Sequence, residues 1–117
     1  MALQRRLSLI AGVIGYLIIV ILSVVPAVDR PHTGAGGGSE HFAANVLVAA
    51  ALSFGLAANR LRIAALIFLC ASAGILEIVQ RYIPGRNSEL WGFFTSSMGA
   101  ALGVLIGAIM FRLIASE

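Results

Sequence analysis

The chain has 117 residues, 60% hydrophobic and 11% charged, with a formal net charge of +3. A soluble domain carries roughly a quarter charged residues, so this composition excludes a soluble monomer and assigns an integral membrane protein. The positive charge comes from arginine alone, with no contiguous basic patch and no basic stretch interleaved with aromatics, which excludes nucleic acid as a partner.

The first apolar run extends over 7–25, behind Arg5 and Arg6. At about 1.5 Å per residue it is about 28 Å long, close to the hydrocarbon thickness. It exceeds the usual signal-peptide core of about 7 to 15 residues and lacks a clean small-x-small site, so it reads as a retained helix ending near Pro26. Residues 26–40 read as a loop, because Pro26, Pro31 and the glycines at 36–38 oppose a regular helix. The second span covers 41–58 and opens with His41, Phe42 and Asn45. The segment 59–62 reads as a tight turn. The third span, 63–81, carries Glu77 and Gln80 in its last turns. A second loop built on Pro84-Gly85 leads to the fourth span, 91–114. Cys70, the single cysteine, lies in an apolar run, permits no internal disulfide and reads as a small buried hydrophobe.

These segments describe one all-α domain over 1–117, a polytopic membrane protein folded as a four-transmembrane-helix bundle. Arg5, Arg6, Arg60, Arg62 and Arg112 fall on one side of the bundle, and Arg30, Arg81 and Arg86 on the other. The bias places both termini in the cytoplasm and the two longer loops outside. In the fourth span Thr95, Gly99, Gly103 and Gly107 recur at spacing four, a stripe of small residues that admits close helix contact. Gly12, Gly15 and Gly74 are the expected partners of that stripe, and homodimerisation through it is the alternative.

Polar groups inside such a chain are costly unless something pairs with them. His41 and Asn45 are four apart and share a helix face, as do Glu77 and Arg81, with Gln80 beside them. The four-span topology brings Glu40, His41, Asn45, Glu77, Gln80, Arg81, Arg86, Ser88 and Glu89 to one level at the outer edge. A structural clasp between helices and arginines that only snorkel to headgroups are the bland readings. The surplus arginine and second carboxylate favour a ligand site. Two arginines suit a phosphate or carboxylate, and His41 with Glu77 could act as acid and base. No H-E-x-x-H is present, so no metal is expected.

Together, Glu40-His41-Phe42, Glu77, Gln80, Pro84-Gly85-Arg86 with Ser88, and the Gly99–Gly103 stripe resemble the VanZ-like family of small bacterial membrane proteins, over about residues 20 to 107. The family often has an Asp-Lys pair where this chain has Gly37 and Gly38, an Asp at Gly92 and an Asn at Ser96. It is named for a protein linked to resistance to teicoplanin-type glycopeptides. The resemblance implies a multi-pass protein of the bacterial inner membrane and cell envelope; it implies no reaction and no cofactor. The expected partners are the bilayer and an anionic lipid or lipid-linked envelope precursor. A membrane enzyme acting on a lipid-linked headgroup through Glu77 and His41 is the alternative, as is a structural subunit of a homo-oligomer or envelope complex.

Overall fold

The computed structural model describes residues 1–25, 37–83 and 90–116. It contains four helices, α1 (Ala2–Val24), α2 (Gly37–Gly55), α3 (Asn59–Gln80) and α4 (Leu90–Ala115), and no strand among the described residues. Three of them, α1, α3 and the part Gly92–Ala115 of α4, are long and apolar enough to cross a membrane. Their outward surfaces carry large apolar side chains such as Leu7, Ile14, Ile21, Ile67, Ile75 and Leu105, all exposed. Hydrocarbon, unlike water, carries no penalty against that surface.

The helix ends follow local chemistry. Val25 is extended, with φ −77° and ψ 150°, because a residue before proline is pushed out of the α region and Pro26 comes next. The α2 helix starts at Gly37, four residues before the expected 41. First-turn N–H groups have no intrahelical partner in any case, so glycine costs little there, and Glu40 in that turn meets the positive end of the helix dipole. The expected turn over 59–62 is also corrected. The turn is confined to Leu56–Ala58, and Asn59 opens α3, where its side-chain oxygen accepts from Arg62 Nη1 at 2.9 Å and Arg62 N–H bonds the Ala58 carbonyl. The α1 helix likewise begins at Ala2, so Arg5 and Arg6 lie inside it.

Cross-helix contacts fix the directions. Arg5 reaches the Gly55 carbonyl and Ser8 Oγ donates to the Ala51 carbonyl at 2.7 Å, so α1 runs antiparallel to α2. Tyr16 meets Ser72, and Gln80 meets Ser23, so α1 and α3 run parallel. A Cβ on Gly99 would lie 2.5 Å from the Phe42 carbonyl oxygen; one on Gly103 would meet the Val46 carbonyl and one on Gly107 the Ala50 carbonyl. Both series rise together, so α2 and α4 are parallel. The ends of α1 and α4 meet where Arg5 lies over the Phe111 ring.

The α2–α4 seam is the tightest contact in the bundle. The glycine stripe of α4 rests on the backbone of α2 and on its small residues Asn45, Ala49 and Ser53. Without a hydrophobic drive inside lipid, this close approach supplies the packing that holds helices together. Ser53 is fully buried and donates to the Val104 carbonyl across the seam at 2.7 Å. Val48, Ala49, Leu69 and Ala100 form the buried core beside it. The expected partners of the stripe are therefore corrected. Gly12 and Gly15 pack on α2 against Leu52 and Val48, and Gly74 packs on Phe93. The stripe itself is covered by α2, which leaves it closed to a second copy.

Candidate functional site

The opposite side of α2 is built differently. Between α1, α2 and α3 lies a cavity of about 410 Å³, with Ser96 of α4 contributing to its wall. Most of its lining is apolar, with Ile19, Leu22, Leu47, Leu69 and Leu76 among the residues that form it. Its polar residues cluster where α2 begins and α3 ends.

Five residues singled out by the sequence line this cavity: Glu40, His41, Asn45, Glu77 and Gln80. Glu40 and His41 come from the first turns of α2 and are half-buried. Asn45 is buried, and its Nδ2 donates to the His41 carbonyl at 2.8 Å, which fixes the amide one turn inside the helix start. Gln80, 4% exposed, donates through Nε2 to the Ser23 carbonyl at 3.2 Å. That carbonyl belongs to the last turn of α1, where helical partners run out, so Gln80 ties the end of α1 to the end of α3.

Glu77 is set by a glycine. Its carboxylate lies against Gly92 in the first turn of α4, so close that a Cβ there would fall on Oε1 and lie 2.9 Å from Cδ. A carboxylate beside a helix start also meets the positive end of the dipole. Gly92, without a side chain, makes room for the Glu77 carboxylate.

Arg81 is placed elsewhere. It closes α3, its backbone N–H bonding the Ile78 carbonyl, and its side chain is exposed and outside the cavity wall. Arg86, Ser88 and Glu89 lie outside the described residues. Among the described residues the wall thus carries two carboxylates, an imidazole, two amides and hydroxyls, and no arginine. Such a surface offers both hydrogen-bond donors and acceptors to a polar headgroup. No group of three His, Cys, Asp or Glu among the described residues is placed to hold a metal ion. Cys70 is free and half-buried.

Several wall residues carried no sequence signal strong enough to single them out. Tyr16 and Ser72 share a hydrogen bond of 2.7 Å that links α1 to α3. Ser23, Ser39 and Ser96 complete the polar lining. Isolated hydroxyls in apolar helices were the available clue. No family model matches this chain, and no curated protein and no solved structure matches it either.

Proposed function

We propose that this chain is a four-span protein of the bacterial inner membrane, VanZ-like in character, that binds a lipid-linked component of the cell envelope. Both termini face the cytoplasm in this reading, and the cavity mouth faces outward. One observation carries it: Glu40, His41, Asn45, Glu77 and Gln80, taken from two helices, line one cavity whose other residues are mostly apolar, with Tyr16 and four serines among them. Sites of a few hundred Å³ with a mostly apolar lining and a few convergent polar groups are the usual form of a small-ligand site. The apolar lining suits an acyl or isoprenyl chain. The donors and acceptors suit a polar headgroup, and the exposed Arg81 near the same end suits its linking phosphate.

The test is native mass spectrometry of the protein extracted from its own membrane. A bound species with a lipid-linked mass is expected on the wild type. Glu77→Gln combined with Gln80→Ala should weaken its retention about tenfold, the scale of one charge-assisted hydrogen bond. Equal retention by the wild type and the double variant would remove the reading.

His41 and Glu77 line the same cavity, which favours a second reading, an enzyme in which the two act as acid and base on the headgroup. It requires turnover of the bound species that Glu77→Gln and His41→Ala abolish. Turnover that survives both substitutions would exclude it.

A further inference from the structure

The other end of the bundle holds a cluster that the cavity does not use. Arg62 is 4% exposed. Its Nε donates to the Ser53 carbonyl at 2.9 Å, its Nη1 to Asn59 Oδ1 at 2.9 Å, and its guanidinium lies 4.7 Å above the Phe111 ring. Arg5 lies over the same ring at 5.6 Å and reaches the Gly55 carbonyl at 3.3 Å. Arg112 follows Phe111 in the last turn of α4, and its charge and that of Arg5 both act on Arg62.

Two of these cations have a structural task, since Arg62 and Arg5 satisfy carbonyls in the last turn of α2, where the dipole favours positive charge. That task leaves a remainder. Arg62 Nη2 is buried without a hydrogen-bond partner among the described residues. Burying a donor this way is costly, and three like charges repel one another. The described carboxylates, Glu40 and Glu77, stand at the opposite end. A guanidinium with both Nη2 N–H groups unused, flanked by two further arginines, is the donor set that phosphate oxygens take up.

We propose that Arg5, Arg62 and Arg112 form a second site, at the end where both termini meet, for the phosphate group of an anionic lipid or of a free phosphate. Arg62 supplies Nη2, and Arg5 and Arg112 supply flanking charge. Arg112 is exposed and brings its charge to the same end of the bundle.

The test uses the whole purified protein in phosphatidylcholine nanodiscs, with two additions made separately: phosphatidylglycerol in the bilayer, and inorganic phosphate in solution. Thermal unfolding and lipid retention by native mass spectrometry are read for each. Stabilisation by phosphatidylglycerol alone assigns the site to a lipid headgroup, and stabilisation by phosphate alone assigns it to a soluble anion. Arg62→Gln should weaken the response about tenfold or more. Arg112→Gln, which removes an exposed side chain and leaves the caps on α2 in place, should weaken it about fivefold. A wild type that responds to neither addition overturns the proposal. So does an Arg112→Gln variant that responds as the wild type does, even if Arg62→Gln fails to fold.

Discussion

The two sides of α2 are made from similar residues and do opposite things. Toward α4, Asn45, Ala49 and Ser53 lie at spacing four against glycines at spacing four, and the two backbones come into contact. Toward α3, the same Ala-rich helix presents Ala43, Ala44 and Leu47 to an open cavity. Small residues close a gap only where the partner is also small. Where α3 offers Leu69, Leu76 and Glu77 instead, the helices stay apart and the space between them is lined with polar groups at one end. The seam fixes α2, and that rigid placement lets the other face hold a cavity open.

The largest effect is expected at the seam. Gly103→Val would drive its Cβ into the Val46 carbonyl and to within 2.7 Å of Ala49 Cβ. Backbone cannot yield as a side-chain tip can, so a loss of about 3 kcal/mol or outright failure to fold is expected in a detergent unfolding titration. Gly74→Ala is the permissive counterpart, because its Cβ would stand 3.4 Å from Phe93 and should change stability by about 0.5 kcal/mol or less. Equal losses at the two positions would break the distinction between the α2–α4 seam and the looser contact of α3 with α4.

Arg62→Ala comes next. It leaves the Ser53 carbonyl and Asn59 without their donor and removes the stack on Phe111. A loss of about 2 kcal/mol is expected, read as a lower unfolding midpoint. Gly92→Ala should act on the cavity rather than on the fold. Its Cβ displaces the Glu77 carboxylate, which is the end of a side chain and can move, so stability should fall by about 1 kcal/mol. Ligand retention should fall further than that. Tyr16→Phe is the smallest, because it removes one hydrogen bond to Ser72 inside the bundle. Such bonds contribute about 0.6 kcal/mol in membranes, so a shift near the resolution of the titration is expected.

Much of this architecture was legible in the residues, and its limits have physical causes. Hydropathy runs and the glycine period announced the helices and the stripe, because both are repeats within one segment. The partner of the stripe was not legible. Asn45, Ala49 and Ser53 sit in a run where nearly every residue is small, so no period marks the face that α4 covers. Glu40, His41, Asn45, Glu77 and Gln80 were readable as polar groups in costly places, and they line one cavity. Arg62 read as a membrane-edge arginine, because its burial depends on Phe111, far away in sequence. The role of Gly92 was hidden for the same reason: an absent side chain reveals its purpose only when Glu77 is seen against it.

The proposed lipid-linked ligand occupies the space between α2 and α3. Ala73 is 9% exposed and lines that space. Ala73→Phe would fill the apolar part of the cavity while leaving the seam, Glu77 and Gln80 in place. Native mass spectrometry of the wild type and this variant, each drawn from its own membrane, is the most direct test. The expected result is a bound lipid-linked mass on the wild type, absent from Ala73→Phe at an unchanged or higher unfolding midpoint. The same bound mass on both proteins would contradict the account.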